Sequence, residues 1–185
     1  MRVKDVVICA LGKLNLRETA EKIASGGQTD SFENEAVKTL VCCYNAVEDE
    51  LARRYLPLTA RDKLSSPDGV YVYAGFSRTP VKIKRVLSDG KEIAFTQEAD
   101  RFTADSASVT VEYFYAPEKK KLDDFCECSA QAGVNLMADG MASEYCFING
   151  EADMADAFEA KYRSAIDAAQ SKIRDRIHLP PRRWI

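Results

Sequence analysis

The chain reads as an α+β protein, mainly an α-helical bundle with a small antiparallel β-sheet inserted between its N-terminal and C-terminal helices. Three observations predict this. Apolar residues recur three and four apart before Pro57 and again after Lys121, the spacing of helices that bury one face. Between those stretches the pattern turns to β-branched and aromatic runs bounded by turn residues. No internal repeat or low-complexity tract interrupts the 185 residues, a length that suits one domain. The predicted layout is helices over 3–56, a β-rich insertion over 68–117, helices over 120–178 and an extended C-terminal arm over 179–185.

Each element has a local cause. Val3, Val7, Ala10, Leu11 and Leu14 share one helical face, and Leu16 to Ala24 predicts a second short helix before the break at Ser25-Gly26-Gly27. Asp30 or Ser31 can cap a third helix, with Glu33 or Asn34 in its first turn and a stripe through Val37, Leu40, Val41, Tyr44, Val47, Leu51 and Tyr55. Pro57 ends it. Pro67-Asp68-Gly69 is a turn before Val70-Tyr71-Val72-Tyr73, and Val81 to Val86 alternates. Ser88-Asp89-Gly90-Lys91 is a hairpin signal leading into Glu92 to Thr96, and Val109 to Tyr115 is a further strand closed by Pro117. After Lys119-Lys120-Lys121 a helical pattern resumes with Leu122, Phe125, Leu136, Met137 and Met141. Small residues at Ala132, Gly133 and Gly140 allow close helix approach. Phe147-Ile148-Asn149-Gly150 breaks it, and a last helix from about Glu151 carries Phe158, Tyr162, Ala165, Ile166, Ala169, Ile173 and Ile177.

The end of the chain is the most informative stretch. The helix runs into Ile177, and Pro180-Pro181 then forbids its continuation. Beyond the prolines stands Arg182-Arg183-Trp184-Ile185, with the only tryptophan beside two arginines, the types most enriched at protein–protein hot spots. We therefore single out Arg174, Arg176, Ile177, Leu179, Pro180, Pro181, Arg182, Arg183, Trp184 and Ile185 as a docking arm. Packing against its own domain is the alternative for this stretch. The arm is also where the charge is uneven. Residues 172–185 hold five basic residues against Asp175, so a chain of net charge −3 carries +4 here and −7 elsewhere. The whole molecule is thus no general polyanion binder.

With 46% hydrophobic and 30% charged residues the chain can fill a core. Arg2, Lys4, Asp5 and Lys13 interrupt the apolar start, so no signal peptide is expected, and no segment approaches a membrane span. The six cysteines include no Cys-x-x-Cys pair, which predicts free, mostly buried thiols in a reducing setting.

Catalytic and metal sites are not expected, nor any cofactor. His178 is the sole histidine, placed at a helix C-terminus where a cation is simply favourable. Cys126, Cys128, Cys146 and His178 form the only plausible zinc set, and on a helix Cys126 and Cys128 would point roughly 200° apart. The acidic runs Glu48-Asp49-Glu50, Asp123-Asp124 and Glu151 to Asp156 fall at helix starts or on polar faces. Gly26-Gly27 is only a linker, without a phosphate-binding glycine motif. Tyr71, Tyr73, Tyr113 and Tyr115, with Lys82, Lys84 and Arg85 nearby, suggest a surface on which single-stranded nucleic acid could stack. Strand packing explains the same tyrosines equally well.

The order of elements, together with Glu35-Ala36-Val37…Leu40…Val47-Glu48-Asp49-Glu50-Leu51-Ala52, Tyr55-Leu56-Pro57-Leu58, Val111-Glu112-Tyr113-Phe114 and the closing Ala157-Phe158…Tyr162-Arg163-Ser164-Ala165-Ile166-Asp167-Ala168-Ala169, resembles the head-to-tail adaptor (connector) proteins of tailed bacteriophages. The resemblance covers the whole chain in order of elements. It implies a structural virion protein of the neck, assembled in the host cytoplasm, without enzymatic activity. It implies a ring of adjacent copies, twelve by the portal's symmetry, linking the portal protein above to a neck or tail protein below. DNA would pass through the channel without sequence-specific binding, and an acidic body would repel it. Residues 174–185 would then be the arm that embraces the portal. A stopper or tail-completion protein of the same neck is the first alternative. A small nucleic-acid-binding or regulatory protein is the second.

Overall fold

The computed structural model describes residues 1–128 and 132–174, and side chains up to residue 171. The chain is broadly α+β and divides into two compact units. A helical unit is built from residues 1–48 and the described residues from 119 onward, and a β unit from residues 49–118.

The helical unit contains α1 (Val3–Lys13), α2 (Arg17–Ser25), α3 (Ser31–Glu50, of which residues up to 48 belong to this unit), α4 (Val134–Ile148) and α5 (Ala152–Arg174). α1 packs on α2 and α4, and α4 packs on α5. α4 is the most enclosed, with Leu136, Met137, Ala138, Gly140, Met141, Ala142 and Cys146 all buried, as expected of a helix apolar around most of its circumference. α1 contributes Val3, Val6, Val7, Ala10 and Leu11 to this core, and α5 contributes Ala155, Phe158, Tyr162 and Ile166. The expected cap of α3 is present as a reciprocal box. Asp30 Oδ1 accepts the Glu33 N–H at 2.8 Å, and Glu33 Oε2 accepts the Asp30 N–H at 2.9 Å. α2 ends at Gly26, whose φ of 73° supplies the left-handed cap. The close approach expected at Gly140 is real: a Cβ there would meet the Tyr162 ring at 2.9 Å and Val47 Cγ1 at 3.1 Å.

One reading of this unit needs correction. The helix expected from Leu122 is absent over 122–128, and α4 starts only at Val134. Phe125 instead bridges Arg2 in antiparallel fashion. The carbonyls of Asp124 and Leu122 accept the Val3 and Lys4 N–H groups at 3.0 and 2.8 Å, serving two of the donors that every helix N-terminus leaves unpaired. A long-range demand of α1 thus overrides the local spacing of Leu122 and Phe125. The break expected within Phe147-Ile148-Asn149-Gly150 is present and falls at its last two residues. α4 runs through Ile148, and the chain turns at Asn149 and Gly150, where φ is +77°.

In the β unit a π-helical turn, Leu51–Tyr55, is closed by the Leu56 N–H donating to the Leu51 carbonyl at 2.7 Å. The strands are β1 (Leu58–Ser65), β2 (Val70–Val72), β3 (Pro80–Ser88), β4 (Lys91–Ile93), β5 (Phe95–Gln97), β6 (Arg101–Ala104) and β7 (Ser108–Tyr115). They form two antiparallel sheets, in the orders β1-β7-β3-β4 and β2-β6-β5, rather than the single sheet expected. The stretch expected as one strand over 92–96 is divided at Ala94, so β4 joins one sheet and β5 the other. Tyr71 and Phe102 from the smaller sheet and Ile83, Val86, Val109, Val111 and Tyr113 from the larger fill a common core. The β3–β4 hairpin turns through Asp89 and Gly90, both at positive φ (49° and 79°), as the expected hairpin signal requires. At Gly69, φ is +70° and a Cβ would lie 2.4 Å from the Ala104 carbonyl oxygen, so that turn admits only glycine.

Candidate functional site

Of the sequence-derived docking arm, Arg174 closes α5, and its side chain lies outside the described residues. Arg176, Ile177, Leu179, Pro180, Pro181, Arg182, Arg183, Trp184 and Ile185 lie outside them altogether, as does His178. What the structure describes is the helix that leads to them. α5 spans 23 residues, buries Ala155, Phe158, Tyr162 and Ile166 along one stripe, and exposes Asp153, Asp156, Lys161, Arg163 and Asp167. Its rise of about 1.5 Å per residue carries the chain roughly 33 Å from the α4–α5 turn before the arm begins.

Three of the buried thiols are poorly suited to nucleophilic work. Burial pushes Cys43 and Cys128 up to about 12 and Cys146 up to about 11, so they stay protonated near neutrality. Since residues 126–128 form no α-helix, the angular argument separating Cys126 from Cys128 falls away. Among the described residues, however, no three potential metal ligands converge. Beside these cysteines Glu48, 1% exposed, accepts the backbone N–H groups of Glu127 and Cys128 on Oε1 at 2.8 and 3.3 Å. One turn earlier, Asn45 pairs with Lys120 in both directions, accepting its N–H at 2.6 Å and donating to its carbonyl at 3.0 Å. Lys120 also pairs with Glu127. These side chains fasten the 120–128 segment to α3.

In the β unit Asp62 gathers a second polar network. It accepts the Ser77 N–H at 2.7 Å, the Ser77 hydroxyl at 2.8 Å and the Tyr113 hydroxyl at 2.7 Å. Burial alone would raise its carboxyl. The three hydrogen bonds outweigh that and hold it below the ordinary carboxylate range. Both oxygens are committed, and the network ties β1 to β7 and to the loop before β3. A nearby hollow of ≈ 370 Å³ is lined by Tyr73, Phe76, Ser77, Arg78, Pro80 and Glu118 and is spanned by an Arg78–Glu118 ion pair at 3.1 Å.

The tyrosines expected as stacking platforms serve the core instead. Tyr71 is 3% exposed and stacks on Phe102 at 4.8 Å between centroids, and Tyr113 is fully buried. Tyr73 and Tyr115 pack against the same core.

The basic residues named with them do share a surface, which sequence spacing alone did not define. Along β1 Ala60, Asp62 and Leu64 turn inward, leaving Arg61 and Lys63 on the outer face of the four-stranded sheet. Along β7 the buried Val109, Val111 and Tyr113 leave Thr110, Glu112 and Phe114 outward. Register then places Arg61 and Arg85 on either side of Glu112, with Lys82 opposite Phe114 and Lys63 opposite Thr110. Lys82 and Lys84 face outward and Ile83 inward as alternation expects, but a bulge between Ile83 and Arg85 then resets the phase, burying Val86 and bringing Arg85 to the outer face opposite Glu112. Arg85 binds Glu112 through two hydrogen bonds, 2.6 and 2.9 Å, and Arg61 approaches the same carboxylate at 2.8 Å. That hydrogen bonding to Arg85 lowers the Glu112 carboxyl, which Arg61 and Lys84 also favour as an anion. Five cations, Arg61, Lys63, Lys82, Lys84 and Arg85, therefore surround one neutralised carboxylate, with Glu92 at the rim opposite Leu87.

No model of a known protein family matches the chain, and no curated protein does.

Proposed function

We propose that this protein is a head-to-tail adaptor of a tailed bacteriophage, a non-enzymatic subunit that rings the underside of the portal. On this reading the helices before and after the β insertion form one bundle. The insertion faces neighbouring neck components, and residues 174–185 form the arm that grips the portal. The observation that carries the reading is α5. It is a long helix anchored along one stripe, and it leads directly into the Arg/Pro/Trp sequence. An anchored helix is a rigid lever, and a Trp flanked by arginines is chemistry suited to a partly acidic pocket on a partner. The buried, protonated thiols and the fully committed Asp62 fit a protein without a catalytic step.

The test is to mix the purified chain with portal rings and image the product. A collar of copies on one end of the portal is expected. Deleting residues 179–185 should leave the circular dichroism spectrum and melting temperature within error of the full chain and abolish the collar. Undiminished collar formation by the shortened chain would remove the docking role.

A further inference from the structure

We infer that the outer face of the four-stranded sheet is a contact surface for the phosphate backbone of double-stranded DNA, engaged without regard to sequence. The inference goes beyond the adaptor reading and does not depend on it.

Charge segregation is the first argument. Residues 49–118 hold nearly equal numbers of acidic and basic side chains, yet the basic ones are not spread evenly. Arg61, Lys63, Lys82, Lys84 and Arg85 lie on one sheet face. Asp68, Glu98, Asp100 and Asp105 sit in the connections around the strands of the smaller sheet, and Asp89 in the β3–β4 turn at the end of the larger one. Opposed sheets lie about 10 Å apart, roughly one Debye length at 0.1 M salt, so a polyanion on the basic face feels the loops on the far side only weakly. Local charge, not the unit's total, then decides contact.

The composition of the face selects the kind of anion. Protein interfaces have apolar cores depleted in lysine, whereas nucleic-acid interfaces are polar and strongly cationic. Here the centre is an Arg–Glu–Arg cluster flanked by three lysines, with Phe114 and Leu87 only half-buried among them. Glu112 does not spoil such a surface. Held between Arg61 and Arg85, it fixes both guanidinium groups against the sheet. Lys63, Lys82 and Lys84 remain exposed as mobile point charges suited to phosphates.

Burial of the aromatics selects the duplex. Single-strand binders stack bases on exposed aromatic rings. Tyr71 and Tyr113 are inside the core, and the one ring on the basic face, Phe114, is itself half-buried, so the face lacks a row of exposed rings on which successive bases could stack. A surface offering five cations around a single half-buried ring, with no groove-reading element, can hold phosphates in register but cannot read bases.

The experiment titrates the full chain into a fluorescent mixed-sequence 30-bp duplex at several salt concentrations. Parallel arms use a single strand of the same length and poly-glutamate. We expect micromolar duplex binding at 50 mM salt, with a log–log salt slope of roughly −3 to −4.5 for three to five phosphate contacts. The triple variant Lys63→Glu/Lys82→Glu/Lys84→Glu should bind at least tenfold more weakly, with a correspondingly shallower slope. A control with the same charge change, Lys38→Glu/Lys119→Glu/Lys161→Glu, alters exposed lysines of the helical unit and should lose far less. Thermal melts of both variants confirm that each is folded. Removing residues 175–185, the other basic stretch, should leave most of the binding in place. The inference is overturned by absence of duplex binding at 50 mM salt, or by loss that tracks removal of the arm and not reversal of the face. Tighter binding of the single strand would also overturn it, and preference for poly-glutamate would assign the face to an acidic protein. None of these outcomes bears on portal docking, which the collar experiment reads separately.

Discussion

At the scale of single residues, two glycines in helices make opposite predictions. Gly12 lies in α1 with no heavy atom within 4 Å of where a Cβ would stand, so Gly12→Ala gains helix propensity without a clash. It should raise stability by about 0.5–1 kcal/mol. Gly140 lies in α4 against the Tyr162 ring and Val47, and the same substitution there must push the ring aside. The propensity gain is then outweighed, and Gly140→Ala should cost about 1–3 kcal/mol, read as a lower urea midpoint at unchanged slope. Asp62 supplies a pH prediction. Its carboxyl is held below the unfolded value of about 3.9, so its contribution is complete above that value and disappears as the pH falls through the lower, folded value. Asp62→Asn should be less stable than the parent at neutral pH. Its melting temperature should also fall less steeply between pH 5 and pH 2.5. Parallel acid profiles for the two proteins would show that the Ser77 and Tyr113 hydrogen bonds do not govern this ionisation.

At the scale of elements, the helices are legible in the sequence and the connections between them are not. The Asp30/Glu33 box and the Gly26 cap are local signals, written within a few residues of the structure they produce. β1 escapes a sequence reading because Arg61, Asp62 and Lys63 look like a loop. They form a strand because Asp62 finds partners in Ser77 and Tyr113, both distant in sequence. The bulge that turns Arg85 onto the face of Lys82 and Lys84 is likewise set by pairing with β7, and no local residue announces it. Segment 122–128 makes the point most sharply, because its conformation answers to α1 on one side and to Glu48 on the other. Glu48→Ala should therefore loosen this segment first. Two backbone N–H groups lose their acceptor inside the protein, costing about 1–3 kcal/mol. Alkylation of Cys126 and Cys128, 6% and 0% exposed, should accelerate while that of the already exposed Cys42 does not change. Unaltered labelling of Cys126 and Cys128 in a folded Glu48→Ala protein would show that the segment holds without this carboxylate.

At the scale of the whole molecule, the distribution of exposed apolar groups bears on self-association. A stable interface between copies buries about 1,200–2,000 Å², and permanent ones resemble a core cut in half. Among the described residues Phe32, Val72, Val81 and Phe125 are exposed in separate elements. Only Phe147 and Ile148 at the end of α4, with Met154 just beyond the turn, lie near one another in sequence. Three side chains supply a few hundred square ångströms at most, the size of an ordinary surface patch on a monomer. The unequal charges add a second obstacle. The chain outside residues 172–185 carries −7, so like copies repel unless something pairs their surfaces. A ring would therefore need a template, and in the adaptor reading the portal supplies it by fixing each arm and raising the effective concentration of neighbouring copies. The expected outcome is a 20.6 kDa monomer in sedimentation velocity at micromolar concentration. Larger species should form only after portal rings are added, and raised salt should lower the concentration needed for assembly as repulsion between copies is screened, provided the arm remains bound. A ring that forms at micromolar concentration without portal would show that copies assemble without a template and would overturn the portal's role in bringing them together.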